Sequence, residues 1–337
     1  MTIIDLQEKN CKNCHHCVRN CPVKSISFST GKPEIMEGEC ILCGNCYVIC
    51  PHDAKRVNSD IDKVKRWLTS GVRVHCSLAP SFVGLLQSEQ RVKKTLIDMG
   101  FASVEETSIG AAEVSAYYRE LCQQGNMTNI ISTCCPVVVK LVQTRFPQLV
   151  DQLAPVISPM RASGKLIKEK YPKDKVIFIG PCIAKIDEGN ESDEIDAVLT
   201  FEDLLDLPLV NEKNYFNTSF LGDLARSYPA TGGIIQTLVS GHNDYQVMSV
   251  EGIGPVMDCL RAIVDHQIEH VFIEMSSCAG SCLGGPMLKK GHQRRWKAQQ
   301  IISVANQDNH WPKYQIQTDC HTEYIAKPLI QPEFTSL

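Results

Sequence analysis

The sequence predicts an α/β protein, with parallel or mixed sheets flanked by helices, preceded by a small cysteine-rich unit. Three observations carry this prediction. From Val72 onward, short apolar runs alternate with amphipathic stretches, as in repeated strand-helix units. Three of those runs end in cysteines, and eight more cysteines crowd the first fifty residues at regular spacing. At 337 residues the chain exceeds one small core, so two or three units are expected.

Taken in order, Cys11, Cys14, Cys17 and Cys21-Pro22 form C-x-x-C-x-x-C-x-x-x-C-P, and Cys40, Cys43, Cys46 and Cys50-Pro51 repeat it. This is the bacterial-ferredoxin run, in which the fourth cysteine ligates the other cluster. Cys11, Cys14, Cys17 and Cys50 are therefore expected to hold one 4Fe-4S cluster, and Cys40, Cys43, Cys46 and Cys21 the second. Two zinc sites would not need eight cysteines at these spacings. Alternation over Ser25 to Glu34, with the turn residues Gly31-Lys32-Pro33, predicts a hairpin. His15 and His16 lie beside ligands, where the ordinary reading is a solvated side chain. The first domain, of α+β ferredoxin-like type, is thus placed at 1–60. The charged stretch from Lys55 to Ser70 has helical spacing and supplies a linker helix over 61–71.

The larger domain, placed at 72–290, opens with a strand over Val72 to Leu78 that ends in Ala79-Pro80-Ser81. An amphipathic helix to about Gly100, an extended piece at Phe101 to Glu105 and a helix from Gly110 to Gln124 follow. Asn129 to Thr133 runs into Cys134-Cys135-Pro136 and another helix. Segments at Val156 to Ser158, Val176 to Ile179, Ala197 to Thr200, Gln246 to Val250 and Val271 to Glu274 continue the alternation. Lys175 to Gly180 meets Pro181-Cys182-Ile183-Ala184-Lys185. Phe272 to Pro286 reads FIEMSSCAGSCLGGP, with Cys278 and Cys282 spaced C-x-x-x-C and glycines at Gly280, Gly284 and Gly285 that let backbone approach something bulky. Ligands of open α/β sheets gather at the carboxyl ends of strands, so three such ends can converge on one cofactor.

A lone strand-end cysteine is more often a small buried apolar residue than a ligand. Asn211 to Pro229 is polar and irregular, and Ala230-Thr231-Gly232-Gly233 opens a helix. Its glycines are read as close backbone packing rather than a phosphate site, because the full dinucleotide fingerprint is absent. Beyond Lys289 the chain turns basic and loses periodicity, so a tail over 291–337 is expected to wrap the surface.

A net charge of −4 gives no reason to expect a nucleic-acid partner. Residues 1–70 hold ten Lys or Arg against eight Asp or Glu, a small basic excess suited to an acidic electron carrier. Apolar runs are too short for a membrane span. The opening MTIIDLQEKNCKNC lacks a basic then apolar leader, so the cytoplasm is the expected location. Seventeen cysteines in such a chain are expected to serve metals or catalysis rather than disulfides. Twelve have ligand-like settings and Cys134 adjoins one, which leaves Cys76, Cys122, Cys259 and Cys320 to burial.

The segments STCCP, PCIAKIDE and EMSSCAGSCLGGP resemble, in order and form, the three signatures of FeFe hydrogenases, and the resemblance covers most of the chain. It implies two lobes of mixed or parallel sheet with helices outside, and an H-cluster: a 4Fe-4S cubane joined to a di-iron azadithiolate unit carrying carbonyl and cyanide. Carried over motif by motif, Cys135, Cys182, Cys278 and Cys282 would ligate the cubane, with Cys282 as the bridging thiolate. Lys185 would meet one cyanide and Ala79-Pro80-Ser81 the other. Cys134 stands at the place of the proton-relay thiol and Ser158 at that of the next relay serine. The implied activity is reversible hydrogen oxidation and proton reduction, with electrons passing through the two 4Fe-4S clusters to ferredoxin or a similar carrier. Dedicated maturation proteins would install the di-iron unit.

Several positions depart from the family pattern. The helix after Gly110 reads Gly110-Ala111-Ala112 where an acidic pair is usual, with Glu113 out of step. Gly180 and Ser276 stand at cofactor positions where fast enzymes carry methionine, Val137-Val138 replaces Gly-Trp, Ala279 occupies a variable position, and Pro286 replaces a glycine. The chain therefore resembles the divergent, sensory-type branch, and slow turnover is expected. Two alternatives stand beside the enzyme: a hydrogen sensor using the same cofactor, and a non-catalytic iron-sulfur assembly protein. Cys134, Lys185 and Ala79-Pro80-Ser81 speak against the last.

Overall fold

The computed structural model describes residues 2–29, 31–84, 89–205, 224–238, 245–288 and 320–323. The predicted calls for a polar stretch at 211–223, a basic run after 289 and most of a C-terminal tail lie outside them.

The small unit is framed by two antiparallel ribbons. β1 (Ile4–Leu6) pairs with β4 (Lys55–Val57), and between them β2 (Ile26–Ser27) pairs with β3 (Glu34–Ile35) as the expected hairpin. Two one-turn helices, α1 (His16–Arg19) and α2 (Asn45–Val48), start within the two cysteine runs. Lys55 to Val57, assigned helical spacing by its charges, is a strand instead: pairing with Ile4 to Leu6 closes the unit and overrides the local pattern. The helix begins later, as α3 (Ile61–Thr69).

A four-stranded parallel sheet follows, in the order β6 (Ser103–Glu106), β5 (Val74–Leu78), β8 (Lys175–Gly180), β9 (Ala197–Thr200). β5 and β9 are buried throughout and β8 past its first residue, which is why they read as continuous apolar runs. The sheet packs with α3, α4 (Glu89–Asp98) and α7 (Pro159–Lys170) around one core that includes Leu78, Phe82, Val176 and Leu199. The helix expected directly after Ser81 starts later; Pro80–Gly84 is first a 3-10 turn.

The second sheet is parallel and three-stranded, in the order β10 (Gln246–Glu251), β11 (Val271–Ser276), β7 (Ile130–Ile131). On one face of β11, Val271, Ile273 and Met275 join α6 (Pro136–Arg145) and α11 (Ile253–Val264) in a core that runs on into Ile4, Val23 and Ile41 of the small unit. On the other face, Phe272 packs with Val114 and Tyr118 of α5 (Ser108–Gln124) and with Val156. Val156 to Ser158 does not form the strand expected of it. It makes a single bridge, Val156 to His321, because Ser158-Pro159 opens α7. α8 (Ala184–Asn190), α9 (Phe201–Leu205) and the single turn α10 (Gly233–Gln236) complete the described elements.

Cys76, Cys122, Cys259 and Cys320 are all buried, as their lack of ligand-like spacing implies. Close packing also accounts for Gly233, where an added Cβ would lie 1.9 Å from the Ser227 carbonyl oxygen.

Candidate active site and iron-sulfur ligand sets

The two cysteine runs cross over in space. Cys11, Cys14, Cys17 and Cys50 line one hollow of about 340 Å³, counting its open mouth, together with His15, His16 and Lys55. Cys21, Cys40, Cys43 and Cys46 line another of about 320 Å³. Each hollow thus draws three cysteines from one run and the fourth from the other. His15 packs against Phe28 with the rings tilted by 40°, rather than standing free.

Four strand ends meet in the larger domain. β7 ends before Cys134-Cys135, and Cys135 precedes α6 as its N-cap with Pro136 at the first helical position. β8 delivers Pro181-Cys182 to α8, where the backbone amides of Ala184 and Lys185 stabilise the Cys182 thiolate. β11 leads to Cys278, and a 3-10 turn over Ser281–Gly284 carries Cys282. The carboxyl end of β5 brings Ala79-Pro80-Ser81 alongside β8, the Ala79 amide donating to the Ile179 carbonyl at 2.9 Å. The two lobes are pinned here: Met287 N–H donates to the Pro181 carbonyl, and a Cβ on Gly285 would meet that oxygen at 2.8 Å. Gly285 therefore serves the fit of one turn on another.

The four thiols feel one another. Burial first, and then neighbouring thiolates, push Cys182 up to about 11 and Cys278 and Cys282 well above the usual thiol range. Cys282 is exposed, while Cys135, Cys182 and Cys278 are half-buried. Thiolates gathered in a low-dielectric place require a cationic core to offset their repulsion, and this donor set fits an iron-sulfur cube. Among the described residues, no three His, Cys, Asp or Glu side chains close on a single-ion site. Ser277 Oγ lies 3.7 Å from Cys135 Sγ and 3.8 Å from Cys278 Sγ.

Lys185 is buried, and its ammonium is 2.5 Å from Glu188, three residues along α8. The Coulomb attraction of Glu188 raises the lysine against the opposing pull of burial. Ser81 and Ser158 both carry buried hydroxyls that lack a hydrogen-bond partner among the described residues. Gly180 and Ser276 are also buried, each at its strand's last residue. Cys134 is 3.3 Å from the Tyr118 hydroxyl, which also accepts from the Thr133 amide at 2.9 Å. Its partner is Tyr118 rather than Ser158. Burial pushes the Cys134 thiol up to about 12, against the pull of Tyr118 and Lys185.

The α5 segment with no acidic pair has a physical role. Gly110 presses on α7, where an added Cβ would lie 2.4 Å from both the Pro159 carbonyl oxygen and the Ser163 amide nitrogen. Ser115, further along α5, is 2.7 Å from the Tyr228 hydroxyl and donates to Thr237 Oγ1 at 2.9 Å. Tyr118, Glu188, Tyr228, Glu274 and Ser277 are polar residues of this region that sequence reasoning passed over. Only the Lys185-Glu188 spacing, one helical turn, carried a readable signal.

Residues 72–239 and 224–286 match the iron only hydrogenase large subunit, C-terminal domain, which is more than half of the chain. The chain belongs to the iron-only hydrogenase family. Residues 3–51 of this family member also match a 4Fe-4S dicluster domain, so iron-sulfur clusters are implied. Among curated proteins, it is 22% identical to an NADP-reducing hydrogenase subunit of Solidesulfovibrio fructosivorans, over 73% of this chain and 55% of that one. It is 27% identical to the periplasmic Fe hydrogenase large subunit of Nitratidesulfovibrio vulgaris, over 60% of this chain and 56% of that one. The chain thus spans about half the length of these hydrogenase relatives. Among solved structures, a variant of the FeFe-hydrogenase of Chlamydomonas reinhardtii superposes with a TM-score of 0.55 at 15% identity, covering 80% of this chain and 99% of the other. At that identity the likeness speaks for the hydrogenase fold. Among the described residues, no helix is long and apolar enough to cross a membrane.

Proposed function

We propose that this chain catalyses reversible hydrogen oxidation at an H-cluster, with electrons relayed through two 4Fe-4S clusters to a ferredoxin-type carrier. The observation that carries the reading is the meeting of Cys135, Cys182, Cys278 and Cys282 from three strand ends, with Lys185 and Ala79-Pro80-Ser81 beside them. When bound, the H-cluster supplies heterolytic cleavage of hydrogen and the storage of its electrons. The four thiolates would hold its cubane. Lys185, kept charged by Glu188, and Ser81, with its free hydroxyl, would orient the cyanides without ligating metal. Cys134 would hold and pass the proton. Seventeen free thiols suit a reducing compartment, so the cytoplasm remains the proposed location, although one matched relative is named periplasmic.

The deciding experiment is infrared spectroscopy of protein matured with the di-iron unit, paired with hydrogen evolution from reduced methyl viologen. Carbonyl and cyanide bands with measurable hydrogen are expected; a matured protein with neither is a non-catalytic iron-sulfur protein. A sensing role draws support from one feature, the close α5 to α7 contact where acidic relay groups are usual. Any signalling output would then need a partner protein.

Two further outcomes test the clusters directly. Cys21→Ala should cost the cluster of Cys40, Cys43 and Cys46 and spare that of Cys11, Cys14 and Cys17, as read by electron paramagnetic resonance of the reduced protein. Loss of the sequence-adjacent cluster would refute the crossed assignment. Ser277→Ala should lower the midpoint potential of the cubane, since the Ser277 hydroxyl, 3.7 and 3.8 Å from the Cys135 and Cys278 sulfurs, would donate to them once they are thiolates of a cluster, which favours the reduced form. A redox titration that finds the same midpoint would leave Ser277 a packing residue.

A further inference from the structure

The two cysteine-lined hollows of the small unit differ in charge, and the difference turns on Lys55. Lys55 is 5% exposed, although Arg56 beside it on β4 is exposed. In the β1-β4 register it stands opposite Leu6, and both side chains line the hollow of Cys11, Cys14, Cys17 and Cys50. Ala54 fixes the strand there: its carbonyl accepts from Gln7 N–H at 2.8 Å, and its own N–H donates to Cys50 Sγ at 3.3 Å. The Lys55 ammonium has no hydrogen-bond or ion-pair partner among the described residues. It acts on Cys17 of this set and, across the unit, on Cys46 of the other.

Burying an unpaired ammonium is costly unless its surroundings are negative. Four thiolates outweigh the charge of the iron-sulfur core they hold, and each added electron makes the set more negative, so a ligated cluster is the missing partner. The first hollow also has Lys12, His15, His16 and His52 on its walls. The second is walled by Ile4, Val23, Ile26, Ile35 and Ile41 and, among the described residues, by no charged side chain. Cations do approach it from α6: Lys140 acts on Cys40, and Arg145 donates to the Val23 carbonyl at 3.1 Å. Each is neutralised by an ion pair, with Asp187 and Glu39 respectively. Amide donation to sulfur runs the other way, since Ser25 N–H meets Cys21 at 3.3 Å and Leu42 N–H meets Cys40 at 3.4 Å, against Ala54 alone in the first hollow. A whole unpaired charge outweighs one more amide dipole.

The second set is the inner one, because α2, which carries Cys46, packs on the Pro286–Leu288 turn just past Cys282. The first set is the outer one, with Cys14 exposed. We propose that Lys55 raises the reduction potential of the outer cluster above that of the inner, so that an electron leaving the active site comes to rest at the outer cluster before it departs. This rests on the reading of the two hollows as cluster sites. One electron leaves the inner cluster and enters the outer, no bond or proton changes, and the ferredoxin-type carrier then takes it. The competing role is structural, a long side chain that fills the inner face of the β1-β4 ribbon. Methionine separates the two, since it keeps the length and loses the charge.

The test is a redox titration of the full chain with its iron-sulfur clusters in place, followed by electron paramagnetic resonance, on wild type, Lys55→Met, Lys55→Gln and Lys55→Arg. Neither hydrogen nor the di-iron unit is needed. Spectra of Cys21→Ala identify the outer cluster's signal. In wild type the outer cluster should be reduced first. In Lys55→Met the ratio of reduced to oxidised outer cluster at a fixed potential should fall roughly tenfold, a shift of about 59 mV for a one-electron couple, with a smaller fall at the inner cluster. Its iron content and unfolding midpoint should hold, because no protein partner is left unpaired. Lys55→Gln should behave alike and serves if methionine disturbs cluster insertion, while Lys55→Arg keeps the charge and should keep the potential. An outer midpoint unmoved in both neutral variants, or an inner cluster reduced first in wild type, overturns the role of Lys55 alone. Wild type whose small unit holds fewer than two clusters overturns the cluster reading, and this proposal with it.

Discussion

Cys134→Ala is expected to cut hydrogen turnover by roughly 10²- to 10⁴-fold while the carbonyl and cyanide bands of the matured protein stay where they are. The thiol adjoins a proposed ligand without being one, so its loss should spare cofactor retention. Because burial holds it well above the ordinary thiol range, it is protonated at neutral pH and stands as a donor rather than a permanent base. Among the described residues its hydrogen bond is to Tyr118, and alanine offers that hydroxyl no replacement. Cys134→Ser retains a proton-bearing group of the right size and should fall between the two. Viologen-coupled assays of all three proteins, each normalised to infrared band intensity, give the measurement. Equal turnover per loaded site would remove Cys134 from the proton route.

Arg226→Ala should be the most damaging single change to stability. Arg226 Nε donates to Glu106 Oε1 at 2.8 Å, and both side chains are nearly inaccessible, at 9% and 3%. Glu106 ends the edge strand β6, so the pair ties that sheet to the Leu224–Ser227 turn. Taking away one member of a buried ion pair leaves an uncompensated charge, which costs about 3–5 kcal/mol. Chemical denaturation of the apo protein should register that loss as a lower midpoint. Replacing both residues together by apolar ones of similar volume should recover most of it. A single mutant as stable as wild type would show that Glu106 finds other compensation.

The cysteine framework was legible because ligation demands fixed spacing: C-x-x-C runs and strand-end cysteines stand out whatever surrounds them. Strands such as Lys175 to Gly180 were legible for a related reason, since burial on both faces leaves an unbroken apolar word. What resisted reading was anything decided by contacts distant in sequence. Lys55 to Val57 became a strand because Ile4 to Leu6 lies beside it. Val156 to Ser158 failed to extend because a proline-led helix begins there. Tyr118, Tyr228 and Glu274 come from three separate segments, and no spacing within any one of them announces that they gather behind Cys134.

Gly44 shows how the two cysteine-bearing parts depend on each other. It follows Cys43 with φ at +74°, and a Cβ there would lie 2.7 Å from Pro286 and 2.9 Å from Ile183, the neighbour of Cys182. The apolar interior beneath is also held in common, from Ile4 and Ile41 to Val138 and Ile273. The amino-terminal part is consequently no detachable cartridge. A version trimmed to begin at residue 61 would lay bare greasy surface on the larger domain, and should clump or bind hydrophobic dyes before any question of its chemistry arises.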